Sequence, residues 1–539
     1  MNITSNLKNK RIFIAVMAGL LLVQLAVLFY YGGRKSGFHE DELYTYYSSN
    51  KTAGLFVNDR QWMEQDDLRN DFVVLPGEGF RYDVVWQMQS WDVHPPLYYY
   101  LFHTACSLVP GVFSKWFGIA VNLIAYVGSY LLLAYCAYTA ADCKQNRTEE
   151  DKRKARILTF LTCFLWGFSA AVISGVMFVR MYQWLTLFVL LCLAFHLRAV
   201  SRQDFRVRTF LLPVACTVFL GFLTQYYYII FHFFLGAGFC VYLLWKKWVK
   251  RLFSYAFSCA LGLGAALLYY PPALSHIFKG YRGTEAVSEF GDASNTLERL
   301  RFFYGLFDDY VMSDTLSLWI LTIALLAVTA GYLKKRGKQT GKLLTPSVVL
   351  MMFAAAGYFF TVSKTALLLG ATSNRYQLPI YGIVIFLLVY FLWSYLERFT
   401  SFRQLPFVFL VVIILIDGAG LIRNRVIFLY EEERANMAYV KEHKDDTVIV
   451  FYNEASGDHI WWLSDELMEY GRVYLASLGN QEPISDGIIT QSDKVLAYVA
   501  DYEDQEECVR RLLAENENLS SFQVVTEKSE GMWTLYEIE

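Results

Sequence analysis

Eleven separate apolar stretches, each close to the length that crosses a bilayer, constrain this chain more than any other feature. They lie near 11–31, 114–140, 156–175, 178–199, 209–226, 228–245, 252–270, 315–333, 344–362, 376–396 and 406–428. A helix needs about 20 apolar residues to span the hydrocarbon core, and there its backbone polar groups must be satisfied internally. A soluble chain of 539 residues has no use for so many such runs, and a hydrophobic content of 55% with mean hydropathy +0.30 agrees. The expected fold is mainly α: a polytopic membrane helical bundle of about eleven spans. The pair around 209–245 also reads as one long span. No small-residue cleavage site follows the first span, which reads as a retained helix.

Charge then orients the bundle. Basic clusters sit at Lys8, Lys10 and Arg11, at Lys152, Arg153, Lys154 and Arg156, and at Arg198, Arg202, Arg206 and Arg208. Two more lie at Lys246, Lys247, Lys250 and Arg251 and at Lys334, Lys335, Arg336, Lys338 and Lys342. Threading the spans alternately puts all five on one side, which the positive-inside rule makes the cytoplasm. The other side receives 32–113, 271–314, 363–375 and the tail from about 429. The expected location is a multi-pass cell membrane protein with a cytoplasmic N-terminus. A net charge of −2 with scattered basic residues gives no nucleic-acid footprint.

The organisation expected is a membrane domain over 1–428, carrying the outer loop 32–113, and a small extracytoplasmic α/β domain over 429–539. In that tail Thr447–Asn453, Arg472–Ser477, Lys494–Asp501, Phe522–Lys528 and Met532–Ile538 are strand-like, whereas His459–Tyr470 and Gln505–Asn516 favour helix. The tail holds only Cys508, so it cannot close an internal disulfide, and it carries no phosphate loop or nucleophile motif. Binding or scaffolding is the reading its residues support.

The candidate chemistry gathers on the outer side. His39-Glu40-Asp41-Glu42 follows the first span. Carboxylates at a membrane face are unfavourable unless they have a task, and Asp41 with Glu42 suits a general base acting on an acceptor hydroxyl or amine. The competing reading is a solvated loop start. Trp91-Asp92-Val93-His94-Pro95-Pro96 leads into an aromatic stretch, 97–110, too short for a span and suited to an interfacial helix. Asp92 and His94 are candidates to contact a sugar or hold a divalent cation, with His276 a third metal candidate; a structural histidine is the bland alternative. Arg180, beside Tyr182, and Arg375, beside Tyr376, stand at outer span ends, where an arginine is usually paired. Both suit a lipid phosphate, and the loop 271–314 adds Arg282. A snorkelling arginine is the alternative for Arg375.

Four of these motifs, in this order, resemble the protein O-mannosyltransferase and aminoarabinose-transferase group of C-type glycosyltransferases (the GT-C fold). They are Asp41-Glu42, His94-Pro95-Pro96-Leu97-Tyr98-Tyr99, Arg180-Met181-Tyr182 and Arg375-Tyr376-Gln377-Leu378-Pro379, and the likeness covers roughly residues 10–400. The resemblance implies a polyprenyl-phosphate-linked sugar donor, an inverting transfer to an extracytoplasmic lipid, wall glycan or protein acceptor, and Asp41 at the catalytic position with Glu42 beside it. It leaves metal dependence open. The aminoarabinose branch has an acid in the Arg180-Met181-Tyr182-Gln183 motif and a lysine at the His94 position, and this chain has neither. A transporter or flippase would also place charges in its spans, but no internal repeat is evident. A non-catalytic envelope sensor would make the tail indispensable and Asp41 dispensable.

Overall fold

A computed structural model describes residues 3–51, 58–141, 148–335, 343–399, 404–500, 505–527 and 533–539. Arg336, Lys338 and Lys342 of the fifth basic cluster, and the ends of three expected strands at Asp501, Lys528 and Met532, lie outside the described residues.

Among the described residues ten helices are long and apolar enough to cross a membrane. A bent pair, Glu149–Phe168 and Ala170–Met177, makes an eleventh. Each expected segment has its helix, and the chain is a multi-pass membrane protein. The ambiguous stretch is two helices, Leu212–Thr224 and Tyr227–Trp245, broken at Gln225 and Tyr226. The bent pair turns by 56° at Ser169, whose backbone is extended and whose hydroxyl donates to the Trp166 carbonyl at 2.8 Å. The aromatic stretch is a helix, Leu97–Ser107, opened by Pro95 and Pro96 as expected.

Two compact units divide the chain. The helical unit comprises Met1–Tyr31, Gln89–Tyr98 and Ile119–Ile427. Lipid tails are as apolar as leucine, so its helices gain from close backbone approach and polar latches. At Gly262 a Cβ would lie 2.4 Å from the Ala215 carbonyl oxygen, so Val249–Tyr269 and Leu212–Thr224 touch main chain to main chain. In the first span Gln24 donates to the Cys163 carbonyl at 2.9 Å and accepts from the Tyr126 hydroxyl at 2.9 Å. The segment 271–314 is mostly helical: Pro272–Phe278, Tyr281–Gly291 and Thr296–Phe307.

The second unit comprises Gly32–Met88, Tyr99–Gly118 and Phe428–Glu539. It holds a six-stranded sheet, ordered β1 (Gln61–Glu64), β3 (Arg472–Ser477), β2 (Thr447–Tyr452), β4 (Val495–Ala500), β6 (Trp533–Ile538) and β5 (Phe522–Glu527). The central strands β3, β2 and β4 are parallel; β1 and β6 flank them antiparallel, and β5 pairs antiparallel with β6 at the edge. Ile449, Val495 and Ala497 face Val509 and Leu512 of the Gln505–Glu515 helix in one core. The five strands expected in the tail are present. The sixth, β1, comes from the 32–113 segment; four residues are too few for a periodic signal, and it forms by pairing with the β3 edge while Trp62 packs on Tyr474. The helix expected over His459–Tyr470 is instead a 3-10 segment, Glu454–Leu463, then one short turn, Ser464–Leu467. Trp461 is drawn between Tyr44 and Tyr47, with ring centroids 4.6 and 4.4 Å away.

Candidate active site

In the helical unit, the loop before the Leu97–Ser107 helix presents Asp92 and His94. The Asp92 carboxylate lies 2.8 Å from His94 Nδ1, and His94 Nε2 lies 3.2 Å from Arg180 Nη2. A guanidinium only donates, so Nε2 accepts and Nδ1 carries the proton that is donated to Asp92. Burial pushes the Asp92 carboxyl up, but His94 and Arg180 outweigh it and hold it below the ordinary carboxylate range. Arg180 is buried, in the short break between Ala170–Met177 and Tyr182–Arg202. Asn122 fixes that break by donating to the Phe178 carbonyl at 2.7 Å.

His276 braces the same loop. Its Nε2 donates to the Ser90 carbonyl at 3.3 Å and its Nδ1 accepts from the Tyr226 hydroxyl at 2.9 Å. Burial, the largest influence, pushes its imidazole below the ordinary range. The Tyr270 hydroxyl reaches the His94 carbonyl at 3.4 Å. Both nitrogens of each histidine are therefore engaged by protein groups, one of them by a guanidinium. No group of three His, Cys, Asp or Glu among the described residues is placed to hold a metal ion. As placed, Asp92, His94 and His276 do not gather into a divalent-cation site; Asp92 and His94 form a chain of contacts that ends on Arg180, and His276 braces the loop that carries them.

Arg375 opens the Asn374–Phe399 helix and is buried. Its guanidinium lies 5.1 Å from the Phe178 ring, 5.9 Å from Tyr182 and 5.1 Å from Tyr376, and Nη2 donates to the Tyr376 hydroxyl at 3.3 Å. The rings of Tyr182 and Tyr376 meet edge to face at 5.6 Å, and Tyr227 joins Tyr376 at 5.9 Å. This is a cation in an aromatic cage. The planar guanidinium remains suited to a bidentate anion. Arg282 stands half-exposed at its edge, paired with Glu285 at 3.2 Å and close enough to Tyr376 to feel its charge. The helical unit thus gathers Asp92, His94, Arg180, Tyr182, His276, Arg282, Arg375 and Tyr376.

Asp41 and Glu42 belong to the other unit, in the first turn of the Glu40–Asn50 helix. His39 caps that helix: its Nδ1 accepts from the Asp41 amide at 3.1 Å. The Asp41 carboxylate is about one-quarter exposed and 3.8 Å from His39 Nδ1. Glu42 is fully buried, accepting from Lys35 Nζ at 2.9 Å and from the His39 amide at 2.7 Å. Lys35 also donates to the Phe428 carbonyl at 2.6 Å. Burial, the largest effect, brings its ammonium below the ordinary range despite Glu42 and Asp465. Phe428 and Tyr430 hold left-handed backbone conformations, φ 65° and 49°, around this anchor. Sequence reasoning overlooked Lys35, although it stands seven residues before Glu42; it also passed over the Tyr226-Tyr227-Tyr228 run that supplies two aromatic neighbours.

No protein-family model and no curated relative matches the sequence. Among solved structures, ArnT from Cupriavidus metallidurans bound to undecaprenyl phosphate matches over 98% of this chain and 97% of its own, at TM-score 0.51 and 11% identity. The fold is a GT-C fold. ArnT in the apo state aligns at TM-score 0.46 and 12% identity, over 97% of this chain and 98% of its own. The archaeal oligosaccharyltransferase AglB from Archaeoglobus fulgidus, in complex with an inhibitory peptide and a dolichol-phosphate, aligns at TM-score 0.38 and 12% identity over 98% of this chain and 74% of its own.

Proposed function

We propose that this protein is a membrane glycosyltransferase that moves a sugar from a polyprenyl-phosphate donor to an acceptor outside the cytoplasm, with inversion. The observation that carries the reading is the full-length fold likeness to ArnT bound to undecaprenyl phosphate. The caged Arg375 and the His94-contacted Arg180 are cations of the kind a lipid phosphate needs. Asp41 is the general base: it takes the acceptor proton as the acceptor oxygen or nitrogen attacks the anomeric carbon, and the sugar–phosphate bond breaks with the electron pair leaving on the phosphate. Phosphate leaves readily, so no second carboxylate is needed as acid. Glu42, already engaged by Lys35 and the His39 amide, acts as a positioning residue that fixes the turn carrying Asp41. Residues 429–539 serve as an extracytoplasmic α/β domain in this scheme, with the N-terminus in the cytoplasm.

The test is transfer of radiolabelled sugar from polyprenyl-phosphate donors by the full-length protein in proteoliposomes. Asp41→Asn is expected to abolish transfer while leaving the unfolding midpoint unchanged; wild-type turnover by that variant would sink the assignment. Arg375→Glu is expected mainly to weaken donor binding, and an unchanged donor dependence would remove its phosphate role.

A further inference from the structure

The starting halves of three spans enclose a cavity whose lining contains none of the residues named for transfer. It has a volume of 820 Å³ and is lined by Asn9–Val16 of the first span, Glu149–Leu161 of the bent pair and Pro406–Leu410 of the last. The size is within the range that holds a small ligand. Its lining is graded. Arg153 and Arg156 stand at the end where the three helices begin, and Val16, Phe160 and Leu410 lie farther along. Seven residues of helix separate Arg153 from Phe160, about 10 Å of rise, which is the scale from a lipid phosphate to its upper acyl carbons.

The charges at the mouth are unevenly matched. Lys152 pairs with Glu149 at 2.8 Å and Lys154 with Glu397 at 2.5 Å, while among the described residues Arg153 and Arg156 take part in no ion pair. Glu149 and Glu150 line the mouth as well; Glu149 is paired with Lys152, so Glu150 offsets one of the two guanidiniums and one remains. The helix start is not itself the anion site, because Thr148 and Asp151 already cap its amides. The apolar far end is unsuited to a soluble anion, and Ile12 and Phe407, half-exposed or more, leave it open to acyl chains.

The geometry points to a regulatory or structural lipid site: a groove that takes one anionic glycerophospholipid from the leaflet on the positively charged side. Its phosphate meets Arg153 and Arg156, and an acyl chain runs past Val16 and Phe160. Basic clefts between spans on the cytoplasmic side recognise such headgroups generally. The site rests on the membrane reading and is independent of sugar transfer, so it stands or falls separately from the proposed activity.

Native mass spectrometry of the full-length protein in neutral detergent tests it, with dioleoyl-phosphatidylglycerol and dioleoyl-phosphatidylcholine titrated separately. One phosphatidylglycerol is expected to be retained about fivefold more strongly than phosphatidylcholine, the contribution of the one guanidinium that Glu150 leaves unmatched. The variant R153Q/R156Q should reduce phosphatidylglycerol to the phosphatidylcholine level. The variant V16W, which fills the chain end and leaves both arginines, should weaken retention without touching the mouth. Equal retention of the two lipids by the wild type, or undiminished phosphatidylglycerol retention in both variants, would overturn the site. Complete displacement by millimolar inorganic phosphate would overturn it too, by showing a free-anion site.

Discussion

Replacing Glu42 with Gln removes the negative half of an ion pair whose side chains are both fully buried. Lys35 then keeps the Phe428 carbonyl, the faces of Phe38 and Tyr430 at 5.3 and 5.6 Å, and the more distant Asp465. A buried charge that loses its counter-ion destabilises by about 3–5 kcal/mol, and at about 2–4 °C per kcal/mol for a unit of 150–250 residues the unfolding midpoint should fall by about 6–20 °C. The deficit should depend on pH in a defined sense. Lys35 already sits below its ordinary 10.5 in the folded state, and losing Glu42 removes the influences that raise it. The folded state then sheds this proton before the unfolded state does, so stability rises with pH through the window below 10.5. Thermal unfolding in detergent, followed by tryptophan fluorescence at pH 7 and pH 9.5, should show E42Q closing part of its gap to the wild type. The double variant K35M/E42Q should recover most of the loss at pH 7, because it leaves no unpaired charge. A midpoint change under 2 °C, or a gap that widens with pH, would refute the burial argument and return Glu42 to direct chemistry.

Arg375→Lys should not restore donor use, because a compact ammonium cannot reproduce a planar cation among Phe178, Tyr182 and Tyr376; a lost charge-assisted contact of about 1.5–3 kcal/mol predicts a donor KM raised about 10- to 150-fold, and wild-type KM in the lysine variant would dismiss the cage. Asp92 is held below its ordinary 3.8, so its ionised form contributes at every pH above that value and is lost only as pH falls through the folded value; transfer between pH 5 and 8 should show no step that Asp92→Asn removes, and a step abolished by that variant would contradict the chain of contacts from Asp92 to Arg180. Gly262→Val should destabilise the helical unit by about 1–3 kcal/mol through overpacking against the Ala215 carbonyl, seen as a lower thermal midpoint; an unchanged midpoint would show that the helix pair can separate freely.

The eleven spans were legible because apolar length is a local property: a run of about 20 residues must be a helix in lipid, whatever surrounds it. The tail's strands were legible for a similar reason, as β2 and β4 are buried almost end to end and read as continuous apolar runs. Arg180 and Arg375 could be picked out as charges at span ends, but not their settings. His94 lies 86 residues from Arg180, and no periodicity links them.

The sequence by itself determined where the chain crosses the membrane, which clusters are basic, and which residues are chemically capable at the span ends. Tertiary structure alone decided what each of those residues touches. It buried Glu42 against Lys35 while leaving Asp41 partly exposed, and it spent the nitrogens of His94 and His276 on protein partners. It recruited Gln61–Glu64 as the edge strand of a sheet built some 400 residues later. Hydropathy is summed along the chain, but a carboxylate's role is set by the few atoms within about 4 Å of it, and segments far apart in sequence supply those atoms.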